Sequence, residues 1–336
     1  MAESTAALTF GDLVIAVAEK LGIAYYGADG DEPAQAPTNA YDLDKCKRYV
    51  QDGIRMFIAD APAAGWRWQR PLASVVLWQD VDEDTDVTVS GGVYDGDADI
   101  TPVTASEATF YASMEGATLA IDGVDDFVIA NYVSSTVVNV TGNASAASAD
   151  VFSMESGGVF GLPQTFGGEV VGDITYAAGS NLGVSISWNT ELEIRRSREN
   201  WDATVQHPYY AAVRRNQTNS RRWDLVVYPT PSGDYTVEFP YLIYFDKITE
   251  LTDVHPAGVA HDEAVKWAAL GQAEVQGEDA AAGYMGYYEK KALLNSHKID
   301  HRAAPRRLGY CGNPGAIRVD VRNFREFTRR PTVGFS

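Results

Sequence analysis

Val87-Thr88-Val89, Phe110-Tyr111-Ala112, Leu119-Ala120-Ile121, Phe127-Val128-Ile129 and Val137-Val138-Asn139-Val140 follow one another between residues 74 and 154, each bounded by Gly, Asp, Asn or Ser. Short apolar or alternating runs between turn formers read as strands. Their close spacing predicts a small all-β unit, a sandwich or a barrel, with 142–149 as a small-residue loop inside it. A second β region follows the Leu162-Pro163 pair: Val184-Ser185-Ile186-Ser187-Trp188, then 223–228 and 235–244. Pro229-Thr230-Pro231-Ser232-Gly233 joins the last two runs and reads as a hairpin turn.

On either side of this β texture the period changes. Phe10, Leu13, Val14, Val17 and Leu21 recur at helical spacing, with Thr9 placed as N-cap, Asp12 at the third helical position and Gly22 at the end. Asp42 is positioned to cap a second helix with Leu43, Cys46, Val50, Ile54, Phe57 and Ile58 on one face, ending near Pro62 and running into Trp66-Arg67-Trp68. The two tryptophans read as packing against these helices. After Pro256, Ala260, Ala264, Trp267, Ala268, Gly271 and Val275 form one helical face; Ala281, Tyr284, Met285, Tyr288 and Ala292 form another.

The predicted class is therefore α+β: a helical bundle built from the N- and C-terminal helices, an antiparallel β region, and an inserted small all-β domain. The expected boundaries are 1–78 with 159–302 for the core, 79–158 for the insertion and 303–336 for an extended C-terminal arm. In that arm Ile317, Val319 and Val321 alternate with Arg318, Asp320 and Arg322, the pattern of a strand that needs a partner.

Charge divides the chain in the same way. Residues 71–194 carry 19 Asp and Glu and no Lys or Arg, which equals the net −19 of all 336 residues. Segment 195–222 holds seven Arg against Glu199 and Asp202, and 301–336 holds eight Arg against Asp320 and Glu326, local charges of +5 and +6. So acidic a chain does not read as a groove binder of duplex DNA or of anionic membranes. Its two cysteines, Cys46 and Cys311, make no disulfide framework and no metal spacing. No basic segment followed by an apolar one opens the chain and no apolar stretch approaches 18 residues, so a soluble protein without a classical secretion signal is expected.

Catalytic patterns are missing from the sequence. His297 and His301 stand one helical turn apart, but Lys298 occupies the place where a zinc protease needs its Glu. Asp95, Asp97 and Asp99 start like a calcium loop, yet Ile100 replaces the required Gly and Ser106 the closing carboxylate. The even-numbered aspartates 80, 82, 84 and 86 read as a solvated acidic edge. Neither a phosphate-binding Gly-rich loop nor a nucleophile elbow occurs. The reading is a non-enzyme without catalytic, cofactor or metal residues.

The order of features carries a resemblance. Two opening helices run into Trp66-Arg67-Trp68; Gly161-Leu162-Pro163-Gln164-Thr165-Phe166 and His207-Pro208-Tyr209-Tyr210-Ala211-Ala212-Val213 follow the insertion. Val227-Tyr228-Pro229-Thr230-Pro231-Ser232 then feeds Tyr235-Thr236-Val237-Glu238-Phe239-Pro240-Tyr241, and Tyr288-Glu289-Lys290-Lys291-Ala292-Leu293 and Arg307-Leu308-Gly309-Tyr310 close the set. Over most of positions 8–312, apart from about 79–158, this resembles the head-to-tail adaptor (neck, connector) proteins of tailed bacteriophages. The insertion departs from that pattern.

The resemblance implies a structural virion protein, assembled in the host cytoplasm and located at the head–tail junction. It implies a homo-oligomeric ring, usually twelve-fold, under the portal protein, which continues the DNA channel and offers an attachment surface to a tail, head-closure or nozzle protein. The genome would pass through without sequence-specific binding, and neither a cofactor nor a membrane is implied. Arg195, Arg196, Arg198, Arg214, Arg215, Arg221 and Arg222 are expected at a subunit interface, facing carboxylates of an adjacent chain. The arm residues expected to dock on the portal or a neighbouring subunit are Arg306, Arg307, Ile317, Arg318, Val319, Val321, Arg322, Phe324, Arg325, Phe327, Arg329 and Arg330. Two other classes stay open: a receptor- or glycan-binding virion protein using the β insertion, and a metal-dependent hydrolase using His297 and His301.

Overall fold

The computed structural model describes residues 6–62, 65–82, 86–180, 182, 185–200, 206–217, 221–277 and 283–302. Helix α1, Phe10–Leu21, opens with a capping box: Asp12 N donates to Thr9 Oγ1 (3.1 Å) and Thr9 N to Asp12 Oδ2 (2.9 Å). Gly22, at φ 70°, ends it in the left-handed conformation that glycine adopts without strain. Helix α2, Ala40–Ala59, is capped by Asn39, which accepts from Tyr41 N. Asp42, expected as the cap, lies in the first turn, where a carboxylate still complements the helix dipole.

Strand β1, Leu72–Leu77, leads from the helices toward the inserted unit. There β2 (Thr88–Gly91), β3 (Ile100–Ala105), β4 (Thr118–Ile121), β5 (Asp125–Ser134), β6 (Val137–Thr141) and β7 (Ser148–Ser153) close into a barrel in the order β2-β3-β6-β5-β4-β7. Val89, Val103, Leu119, Phe127, Val138 and Phe152 fill its interior, so it is packed rather than hollow. The run at Phe110 is not a strand: Ala112–Met114 form a 3-10 turn that sends Phe110 and Met114 inward. An isolated bridge between Val81 and Met154 brings entry and exit together.

The chain continues through β8 (Val159–Gly161), β9 (Phe166–Val170), β10 (Thr175–Tyr176), β11 (Ser187–Trp188), helix α3 (Glu191–Asn200), β12 (Tyr210–Arg215), β13 (Trp223–Tyr228) and β14 (Tyr235–Ile243). One sheet runs β1-β14-β10, with β9 also on β14; the other runs β11-β12-β13-β8. The expected hairpin between β13 and β14 therefore does not form. The 229–233 turn instead carries the chain from one sheet to the other, since β13 is flanked by β12 and β8 while β14 is flanked by β1 and by β9 and β10. The two sheets and the barrel share one apolar cluster, with Trp188 edge-on to Phe239 and Trp78 edge-on to Phe160.

Helix α4, Asp262–Gln276, is followed by one continuous helical stretch made of α5 (Tyr284–Tyr287), a π turn over Tyr288–Ala292 and α6 (Leu293–Arg302). Helices from both ends of the chain share a second core that includes Phe10, Val14, Val50, Phe57, Val265, Ala268, Ala269 and Tyr288. Burying each such large side chain contributes about 1.5–3 kcal/mol over leaving it exposed. Ala260 and Val275, expected on the inner face of α4, are exposed, and Val265, Ala269 and Ala273 take that role. The α2–α4 crossing is close: a Cβ on Gly53 would lie 2.5 Å from Ala269 Cα. Among the described residues no helix is long and apolar enough to cross a membrane.

Candidate functional site: the arginine surface and the buried histidines

Helix α3 places the first arginines, and the sequence reading had missed it. Thr190 Oγ1 accepts from Glu193 N (3.3 Å), Glu191 pairs with Arg195 one turn on (2.5 Å), and among the described side chains of the helix only Ile194 is buried, against Ala212, Val226 and Tyr228. A helix with one buried side chain shows no apolar period. Its detectable signs are the cap and the i, i+4 ion pair.

The seven arginines divide by environment. Arg198 Nη2 donates to Gly158 O (3.1 Å) and Val227 O (2.8 Å), fastening α3 to the sheet. Burial, with Arg214 close by, lowers its pKa below the usual arginine value. Arg214 faces Asp224 across the β12–β13 ladder; at 3.5 Å its Nε is within ion-pair reach but makes no hydrogen bond among the described residues. Arg222 Nη1 meets Glu115 Oε2 at 2.5 Å, with 20% and 12% of the two side chains exposed. These three, like Arg195 with Glu191, find acceptors or carboxylates within their own chain. Arg195, Arg196, Arg215 and Arg221 are exposed, and Arg215 lies over the Trp223 ring, 5.0 Å from its centroid.

The arm residues from Arg306 to Arg330 lie outside the described residues. The acidic insertion presents Asp95, Asp97, Asp122, Asp125 and Asp126 at its surface. Several of its aspartates have local partners, among them Asp95, whose Oδ1 accepts from Asp97 N and Ala98 N, and Asp80, whose Oδ1 accepts from Ser156 N and Oγ. Tyr111 donates to Asp234 Oδ2 (2.7 Å), and that hydrogen bond, with burial, pushes its phenol up to about 12.

A buried polar cluster ties the helical core together. His255 Nε2 and Asp262 Oδ1 are 2.7 Å apart, and Asp262 Oδ2 accepts from Leu8 N (2.8 Å). His261 Nδ1 lies 2.5 Å from Ser296 Oγ, and Asp300 Oδ1 accepts from Arg67 N (3.1 Å). His297 Nε2 donates to Asp60 O (2.9 Å), whose carboxylate receives the Tyr288 hydroxyl (2.7 Å). Burial lowers the pKa of both His255 and His261. His255 Nδ1 has no partner among the described residues, so a second proton there would be a buried, unsatisfied donor. Ser296 and His261 resemble a nucleophile–base pair in contact alone; 2% and 5% exposed, they sit inside the packing and not in a cleft. His297 is committed to a backbone carbonyl, while His301 is exposed. Among the described residues no three His, Cys, Asp or Glu side chains group as a metal site. Burial raises the Cys46 thiol to about 11, which keeps it protonated and unreactive. Neither a family model nor a curated protein matches the chain.

Proposed function

We propose that this chain is a head-to-tail adaptor of a tailed bacteriophage: a non-enzymatic ring subunit, twelve-fold in the full assembly, that seats beneath the portal protein and extends the DNA channel. The observation that carries the reading is the convergence of the first and last helices on one core, so that both β units are carried between them. It is this order of elements on which the sequence resemblance rests. Three further features support it. The exposed arginines of α3 and of the β12–β13 hairpin suit a contact with carboxylates of the next subunit. The barrel, without Lys or Arg, would repel phosphates wherever it faces the channel and so prevent DNA from adhering during passage. The sequence after Arg302 is rich in Arg and alternates Ile317, Val319 and Val321 with polar residues, as a docking arm toward portal or tail components requires.

The test is assembly. Purified chain mixed with portal rings and imaged in negative stain is expected to form a second ring coaxial with the portal. Chains that remain monomeric and leave the portal rings bare at saturating concentration would remove the proposal.

A further inference from the structure

A groove of about 600 Å³ lies at the seam between the end of α2 and the strands β9 and β14. Ile58, Leu242, Tyr244 and Phe245 supply its apolar wall, and Tyr244 and Phe245 are 58% and 36% exposed. Two cations border it against one carboxylate, Glu169: Arg55 gives one N–H to Asp52 (3.2 Å), and the Arg70 guanidinium has no partner among the described residues. Gln69 also lines the groove. It is 3% exposed, its main-chain oxygen accepts from Ile243 N (3.0 Å), and its side-chain carboxamide makes no hydrogen bond among the described residues. A buried carboxamide left unpaired is uncommon, and it both donates and accepts, which makes it the complement of a peptide group.

The barrel presents a matching knob. Between β2 and β3 the chain runs Gly92-Val93-Tyr94-Asp95-Gly96-Asp97, and Val93, at 87%, is the most exposed large apolar side chain among the described residues. Neither its N–H nor its C=O has a partner among them. The Asp97 carboxylate is likewise unpaired there, and no Lys or Arg stands anywhere in residues 71–194 to compete for it. So exposed a Val93 lies outside the groove of its own chain, and the two surfaces meet only between copies.

We infer that the Val93 loop of one copy seats in the Gln69 groove of the next. Val93 packs on Tyr244 and Phe245, its peptide groups pair with the Gln69 carboxamide, and Asp97 meets Arg70. Knob and groove are different surfaces, so the contact is heterologous; each copy offers both, and the contact repeats around a ring or along a filament. The inference rests on the adaptor reading in one respect, that copies of the chain associate. The experiment contains no portal protein, so its failure leaves the coaxial-ring test standing.

Sedimentation velocity on the full chain tests it. The parent is expected to associate at low ionic strength and less so at high. Arg70→Glu alone and Asp97→Lys alone are each expected to weaken association at least about tenfold, because each sets like charges together. Mixed in equal amounts, the two variants should associate as the parent does, since in alternating order every groove meets a knob of opposite charge. Gln69→Leu is expected to weaken association while raising the urea midpoint of the monomer, because it removes a buried unpaired amide. A parent that stays monomeric at its highest soluble concentration overturns the inference, as do variants that associate like the parent or a mixture that associates no better than its components.

Discussion

Arg222 Nη1 and Glu115 Oε2, 107 residues apart in sequence, meet at 2.5 Å and fasten the β12–β13 hairpin to the barrel, while Glu115 Oε1 also accepts from Tyr132 N (2.9 Å). Both side chains are mostly buried, so removing one leaves a charge with neither water nor partner. Arg222→Ala is expected to cost about 3 kcal/mol in urea unfolding. Arg222→Met with Glu115→Gln should recover much of that loss, and a double-mutant cycle reads the coupling.

The barrel should fold alone. Among the described residues each of its strands pairs only with other barrel strands, and the Val81–Met154 bridge closes the segment. A peptide of residues 79–158 is expected to give a cooperative thermal transition and native-like near-ultraviolet dichroism. A non-cooperative melt would mean that Trp78 and Phe160, at the joint with the sheets, are required for its core.

Stability should fall in mild acid. Burial holds His255 and His261 below the ordinary value of 6.5, so the unfolded chain binds protons that the folded chain refuses. Their contribution is complete above about pH 6.5 and is lost progressively as pH drops through the depressed folded values. Melting temperature is expected to decline from pH 7 to pH 5 more steeply than in His255→Gln.

Gly53 sets the spacing of the α2–α4 crossing. Gly53→Ala gains helix propensity but drives its methyl into the Ala269 backbone, for a net loss of about 2 kcal/mol. Ala→Gly at 269 would leave that contact unrelieved, since the clash is with main-chain atoms. Calorimetry on the two variants checks both statements.

Reversing surface arginines should separate assembly from folding. Arg195→Glu with Arg196→Glu alters exposed groups and is expected to change unfolding free energy by less than about 1 kcal/mol while reducing ring formation. Arg214→Glu sets a second carboxylate against buried Asp224 and is expected to destabilise the monomer itself. Size-exclusion chromatography beside urea unfolding distinguishes the two effects.

Local rules were legible in the sequence; partners distant in sequence were not. The α1 capping box, the left-handed Gly22 and the alternating runs of the barrel follow from side-chain period and cap chemistry within a few residues. The 229–233 turn announces a reversal, but which strands lie beside Trp223–Tyr228 is decided by Val159–Gly161, more than sixty residues upstream. Glu191–Asn200 escaped because Ile194 is the one buried side chain among those described in it. The intrachain pairs Arg214–Asp224 and Arg222–Glu115 were not legible in the arginine run, because no spacing rule links position 222 to position 115.

The Val81–Met154 bridge has a kinetic meaning. Leu77 and Val159, the ends of β1 and β8, are separated by 81 residues, and a flexible loop of that length is entropically costly to close before Trp78 can meet Phe160. Once the barrel has formed, the route shortens to the four residues before the bridge and the few after it, which lowers the closure cost by about 2 kcal/mol. The inserted unit thus acts as a splint during folding. Barrel formation first and sheet docking second is the order of events that this connection favours.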